Sequence, residues 1–372
     1  MIESQLARSL AKRVSWRGPN NTMSAENPSL SRRALLRTAA AGIVTSAIPL
    51  GPSGSAAASL GNKNNNTSRS GKPEIWTHDY WTQKGNVSLY MFRKRMGVPQ
   101  ADDGLPVLFL AHGSSVSSRP TYDLHVLGHG EYSLMDKFAE YGFDVWTMDF
   151  EGYGRSSRTD GNSDIASGVE DLKAAAEVIF KETGQKQFHL YGESSGALRA
   201  GAFAMVCPER VSRLVFVSLT WTGRGSPTLT GRAALLDYYR THNTRPRDRS
   251  MIDSIFTRDK PGTSDKAVAE AMADAELQFG DSVPTGTYLD MITKLPLVDP
   301  TRLAMPVLIA RGEYDGIATE DDVLNFFKKL KATEREFVVL PGASHAVALG
   351  INRQQLWYVM KSFLDSPARL DL

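Results

Sequence analysis

The 372-residue sequence holds a single cysteine, Cys207. That excludes an internal disulfide and any cysteine-rich metal cage. An excess of charge of one sign is also missing: 43 Lys and Arg stand against 41 Asp and Glu, a formal net charge of +2. This balance gives no electrostatic reason to expect nucleic acid as a partner. No apolar run approaches the ~18 uninterrupted residues needed to span a bilayer, so no stable membrane anchor is expected. No internal repeat of roughly 20–50 residues is visible. What remains, 41% apolar and 23% charged with 31 Gly and 18 Pro, is an ordinary globular composition rather than a fibrous or wholly disordered one. The length fits two average domains or one large α/β domain.

The N-terminus reads as an address. Residues 31–37 (SRRALLR) set a basic pair before an apolar run of 12 residues at 39–50, and Ala56-Ala57-Ala58 then satisfies the A-x-A cleavage pattern. The paired arginines resemble a twin-arginine export signal, which implies the export machinery as a partner and a periplasmic or secreted location. We expect the signal over 1–58 and a disordered linker over the polar stretch 59–73. The signal carries seven basic and two acidic residues, so the remaining chain is net −3. No cysteine follows the apolar run, which argues against a lipid anchor. The stretch before the arginines is unusually long, and Met23 is the more ordinary start.

From about Trp76 the pattern changes. Residues 87–92 form a strand-like run that pairs with the segment before it across Lys84-Gly85-Asn86, as a hairpin. Short apolar runs then recur at 106–111, 143–150, 187–191, 213–219, 305–310 and 336–340, most of them ending at glycines. Such runs read as strands buried on both faces of a parallel sheet. Helical patterns lie between them: Ile165, Val169, Leu172, Ala176 and Ile179 share one helix face, 195–206 is rich in small apolar residues, and 355–363 supplies a last helix. Strand–helix alternation with right-handed crossovers gives an open, mostly parallel α/β sheet flanked by helices. The alternation breaks between 219 and 305, where helical stretches occur without a clear strand. That interval is too long for an ordinary connection and reads as an inserted helical cap. The expected layout is a core over 74–220 and 304–372 with a cap over 221–303. Trp221, Tyr238, Tyr239, Phe256, Phe279 and Tyr288 are candidates to line a pocket beneath it, though each is also an ordinary packing residue.

Four separated motifs carry chemistry. Gly192-Glu193-Ser194-Ser195-Gly196 follows a predicted strand and opens a predicted helix, the setting of a nucleophile elbow. The turn is so tight that the flanking positions must be small, and Ser194 is the candidate nucleophile. A serine hydroxyl needs an adjacent base held by an acid. In this kind of sheet the chain order is serine, acid, histidine. The strand ending near Ala310 runs into Arg311-Gly312-Glu313-Tyr314-Asp315, and the last strand runs into Pro341-Gly342-Ala343-Ser344-His345. Both lie past carboxyl ends of strands, where such sheets carry their sites. Asp315 is the candidate acid and His345 the candidate base. Glu313, Asp321 and Asp322 fit the acid's place less well, as do His189 and His242 the base's. Oxyanion stabilisation needs two backbone N–H groups. Ser195 is expected to supply one and Ser114, in His112-Gly113-Ser114-Ser115, the other; His112 is read as holding that loop.

Together, HG, G-x-S-x-G, G-x-x-D and a late G-x-x-H resemble the α/β-hydrolase superfamily over about 76–364. Residues 149–156 (DFEGYGRS) resemble its D-x-x-G-x-G-x-S segment. The resemblance implies the α/β-hydrolase fold and a serine hydrolase in the style of esterases, lipases and lactonases, without metal or organic cofactor. Serine rather than aspartate at the elbow argues against the dehalogenase and epoxide hydrolase branches. Thr319 stands where the family often has proline, four residues after the acid. The expected reaction is hydrolysis of a small-molecule carboxylic ester through an acyl-enzyme. Amide, lactone or carbon–carbon bond hydrolysis by the same triad is the alternative, and a non-catalytic binding protein a more distant one.

Other signals are weaker. His125 and His129 have helical metal-pair spacing, but Gly128 and Gly130 favour a loop. Arg240, Arg245, Arg247 and Arg249 read as a solvated basic surface diluted by acids. Gly152-x-Gly154 lacks the third glycine of a dinucleotide fingerprint.

Overall fold

A computed structural model describes residues 74–100 and 103–367. Contacts divide the chain into two units, Met1–Thr67 and Ser68–Leu372. The expected export signal, 1–58, and the whole of the expected linker, 59–73, lie outside the described residues.

The chain enters with β1 (Ile75–Lys84) and β2 (Val87–Met96), a hairpin turning at Gly85, whose φ is 57°. β3 (Val107–Ala111), α1 (Ser118–Tyr122), α2 (Leu134–Glu140), β4 (Asp144–Met148), α3 (Ile165–Thr183), β5 (Phe188–Glu193), α4 (Ser195–Val206) and β6 (Val211–Val217) follow. An insertion comes next: α5 (Pro227–Ala233), α6 (Leu236–Thr241), β7 (Thr244–Pro246), α7 (Arg249–Thr257), α8 (Lys266–Leu277), β8 (Ser282–Pro284) and α9 (Gly286–Thr293). The core resumes with β9 (Val307–Gly312), α10 (Glu320–Lys329), β10 (Arg335–Leu340) and α11 (Arg353–Asp365).

Eight strands form one sheet in the order β1-β2-β4-β3-β5-β6-β9-β10. β2 is antiparallel to both its neighbours, and every pairing from β4 to β10 is parallel. Side chains of a strand alternate between faces, and the apolar runs divide accordingly. Val107, Phe109, Leu190, Leu214, Phe216 and Ile309 join the core under α3 and α4, whereas Leu108, Leu110, Val215, Val217 and Leu308 join the core under α2 and α11. Burial on both faces explains why these strands read as continuous apolar runs.

α3 begins where Asp164 accepts from the Ser167 N–H and stops at Gly184, whose φ of 69° suits a left-handed cap. Its buried face carries Ile165, Val169, Leu172, Ala176 and Ile179, the residues picked out by spacing.

The insertion departs from expectation in one respect. The interval expected without a strand holds the two-stranded antiparallel ribbon β7–β8. Each strand is three residues long and ends in proline, too short to carry an alternation signal. α7 and α8 pack on Leu124, Val126, Ala346 and Leu349 of the core in a third apolar cluster.

Candidate active site

Ser194 occupies the turn between β5 and α4 with φ 58° and ψ −122°, a backbone region that side-chain-bearing residues rarely adopt. The strain is held by close packing. A Cβ on Gly192 would lie 2.4 Å from the Gly196 carbonyl oxygen, and one on Gly196 would lie 2.1 Å from that of Ala111. Both positions therefore exclude any side chain. The Ser194 N–H donates to Val217 O at 2.9 Å, tying the turn to β6.

The loops after β9 and β10 deliver the other two groups. His345 Nε2 lies 3.0 Å from Ser194 Oγ, and His345 Nδ1 lies 2.9 Å from Asp315 Oδ1. The same carboxylate oxygen accepts from the backbone N–H of Ile317 at 2.8 Å and of Ala318 at 3.0 Å. Burial works to raise the Asp315 carboxyl, but the adjacent His345 and these donors hold it down to about 2. An ionised carboxylate so fixed keeps the proton of His345 on Nδ1 and leaves Nε2 to accept from the serine. The structure thus brings Ser194, His345 and Asp315 into one chain of hydrogen bonds.

Ser114 and Ser195 also meet. The Ser114 hydroxyl donates to Ser195 Oγ at 2.7 Å and accepts from Thr287 Oγ1 of α9 at 2.8 Å. As the first residue of α4, Ser195 has an N–H with no partner inside its helix. Gly113 abuts the nucleophile: a Cβ there would be 3.4 Å from the Ser194 Cβ. His112 fills the structural place read for it. Its Nε2 accepts from the Phe150 N–H at 3.1 Å and its Nδ1–H donates to Gly113 O at 2.8 Å. Complete burial drives its pKa down to about 3, so the ring stays neutral.

The loop that follows β3 is gripped by the insertion. Glu276 of α8 accepts from both the N–H and the hydroxyl of Ser117, at 2.5 and 2.9 Å, and pairs with Arg247 at 2.5 Å. Arg247 also donates to Ser115 O at 3.3 Å, and the Ser115 and Tyr288 hydroxyls are 2.6 Å apart. Arg247 is 1% exposed, which corrects its reading as part of a solvated basic surface. Its partner lies 29 residues away, out of reach of a local charge count.

A cleft opens over Ser194 and His345, with Val116 from the core and Ile255, Phe256 and Met272 from the insertion among its walls. Of the six aromatics proposed to line it, Phe256 does so. Tyr239 and Tyr288 stack on each other at 5.5 Å, and Trp221 packs edge-on against Phe326. Glu193, between Tyr191 and the nucleophile, also borders the cleft; burial pushes its carboxyl up to about 7, and it accepts from the Tyr191 hydroxyl at 3.0 Å. His125 and His129 do not converge. His129 pairs with Asp265 at 2.6 Å, while His125 faces Asp123 and Asp136, acids that Lys94 already binds at 2.5 and 2.7 Å.

Residues 129–350, more than half of the chain, match the family model described as serine aminopeptidase, S33. The chain belongs to this family. Within the α/β-hydrolase superfamily, it is similar to a 2-hydroxy-6-oxononadienedioate/2-hydroxy-6-oxononatrienedioate hydrolase of Paraburkholderia phymatum, at 32% identity over 132 residues. That match takes in 34% of this chain and 39% of the relative, so this serine aminopeptidase-family chain spans well under half of the curated relative's length. A hydrolase of the same description from Klebsiella pneumoniae subsp. pneumoniae is 25% identical over 260 residues, covering 64% of this chain and 81% of that one. Among solved structures, 2-hydroxy-6-oxo-6-phenylhexa-2,4-dienoate hydrolase from Rhodococcus sp. strain RHA1 superposes with a TM-score of 0.56 at 20% identity, covering 79% of this chain and all of that one. E-2-(acetamidomethylene)succinate hydrolase gives 0.58 at 18% identity, over 78% of this chain and all of that one. These structures share the fold.

Proposed function

We propose that this family member is a serine hydrolase that cleaves a carboxylic ester through an acyl-enzyme. The observation that carries the reading is the continuous Ser194–His345–Asp315 chain opening into a largely apolar cleft. His345 Nε2 takes the Ser194 proton as Oγ attacks the ester carbonyl. The tetrahedral oxyanion is held by the backbone N–H groups of Ser195 and Ser114. The imidazolium returns its proton to the departing alcohol, and water, activated by the same imidazole, releases the acid. Asp315 stays ionised throughout and supports the charged ring. The test is labelling by a fluorophosphonate mapped to Ser194, together with Ser194→Ala. That change should lower ester turnover by roughly 10⁶ where the three groups act as a unit. Undiminished turnover by the variant would end the reading.

A second reading is favoured by a specific observation: the curated relatives are named as hydrolases of 2-hydroxy-6-oxo-dienedioates. The same groups could then cleave a carbon–carbon bond next to a ketone, and a panel of esters and vinylogous diketo acids separates the two. Aminopeptidase action, carried in the family's description, fits the cleft less well. A substrate ammonium group would meet Arg232 and Arg258 there. We also propose export to the periplasm or medium by the twin-arginine route. That reading rests on residues 31–58 of the sequence, and N-terminal sequencing of protein recovered outside the cytoplasm tests it.

A further inference from the structure

Two guanidinium groups border the cleft that holds Ser194: Arg232 from α5 and Arg258, just after α7. Among the described residues, Arg232 has no acid within ion-pair distance. Its guanidinium instead lies over the ring of Tyr288, 5.0 Å from the centroid, and Arg245 lies over the same ring at 5.1 Å. Burial, set against the pull of the Tyr288 hydroxyl, takes the Arg232 pKa down to about 10, and Arg258 and Arg245 push the same way. It therefore remains a cation at neutral pH. Arg258 is partly compensated, with Nε 3.4 Å from Asp259 Oδ1, but that Nε is buried and makes no hydrogen bond. Among the described residues one carboxyl borders the cleft, that of Glu193, which accepts from Tyr191 and is half-protonated near neutrality. Val116, Ile255, Phe256, Met272 and Leu349 give the cleft its apolar walls, beside the hydroxyl-bearing Ser114, Ser115 and Thr121.

A half-buried guanidinium without a counter-charge is costly, and a planar carboxylate accepting two N–H bonds relieves it best. We infer that Arg232, with Arg258 beside it, recognises a free carboxylate on the substrate, so that the preferred substrate is an acid monoester whose chain between carboxylate and scissile carbonyl is apolar. This deepens the proposed serine hydrolase reading and rests on it for the reaction, though not for the binding. Arg232 is then a specificity-determining residue, its guanidinium resting on the Tyr288 ring at the border of the cleft.

The test compares the mono-4-nitrophenyl ester of suberic acid with its neutral ω-amide. The native protein should prefer the acid by at least tenfold in kcat/KM. In Arg232→Gln that ratio should fall about tenfold, and in Arg232→Lys it should fall part of the way. Arg249→Gln, an exposed arginine paired with Asp274, should leave the ratio at its native value. A native ratio of one or less, or a ratio unmoved in Arg232→Gln, overturns the inference. Titration calorimetry of octanoate against octanamide on the native protein needs neither turnover nor a variant. Tighter binding of octanoate supports the carboxylate site even where no ester is cleaved, and equal binding refutes it while leaving the serine chemistry to be judged by labelling.

Discussion

The Thr287 hydroxyl of α9 donates to Ser114 Oγ, and Ser114 in turn donates to Ser195 Oγ, joining the insertion to both sides of the proposed oxyanion site through two short bonds. Thr287 touches no reacting atom, so it acts by positioning. Thr287→Val keeps the shape and removes the donor. We expect kcat for an ester to fall on the order of tenfold with KM little changed, the size expected when an oxyanion donor is displaced rather than deleted. Thr287→Ser should restore most of the rate. A parallel rise in KM, or no rescue by serine, would point to a packing role instead.

Asp315→Asn should preserve the fold and lower kcat by about 10⁴, because the amide favours the imidazole tautomer that cannot accept from Ser194. Steady-state kinetics on a model ester checks this. A loss under tenfold would mean that another carboxylate orients His345.

Gly196→Ala places a methyl 2.1 Å from the Ala111 carbonyl oxygen, part of a central strand that cannot retreat. We expect a loss of about 3 kcal/mol or more in unfolding free energy, or no soluble protein. Gly231→Ala in α5 is the contrast, with nothing within 4 Å of the new Cβ. There the change should be neutral or stabilising by roughly 0.5–1 kcal/mol. Denaturant midpoints of the two variants should differ accordingly.

Glu193 gives a pH dependence of definite sign. Its carboxyl titrates near 4.5 when unfolded and at about 7 when folded. The folded state thus holds the proton more tightly, and the stability this contributes is complete below pH 4.5 and lost as pH rises through 7. At about 1.4 kcal/mol per pKa unit, roughly 3 kcal/mol disappears between pH 4.5 and 8. Glu193→Gln cannot ionise. The difference in unfolding free energy between the variant and the native protein should therefore move in the variant's favour by about that amount over the same range. Parallel stability curves would show that the carboxyl is solvated.

The parallel sheet was legible because β3, β5, β6 and β9 are buried on both faces and so read as apolar runs, most of them ended by glycine. Ser194, Asp315 and His345 were legible for a related reason. Ser194 and Asp315 follow such strands, and His345 follows the less buried edge strand β10, so local signals placed all three at one edge of the sheet without any knowledge of contacts. What stayed hidden depends on partners distant in sequence. Nothing near Arg247 announces Glu276, and a run of arginines interleaved with aspartates reads as solvated until the fold buries one of them. Thr287 and Arg232 sit in short helices whose composition is unremarkable, and only the folding of the insertion back over the sheet gives them a role. The ribbon β7–β8 escaped because three residues do not make a period.

The dry ion pair between Arg247 and Glu276 also bears on traffic through the molecule. Both belong to the insertion, so lifting it from the loop after β3 would leave them paired but would break the charge-assisted bonds of Glu276 to Ser117 and of Arg247 to Ser115 O, at a cost of several kcal/mol. A hinged roof is therefore a poor description. Reactants must come and go through a fixed doorway framed by side chains, so the breadth of molecules admitted is set by the girth of that opening, and widening it by trimming Phe256 or Met272 is the direct way to broaden the repertoire.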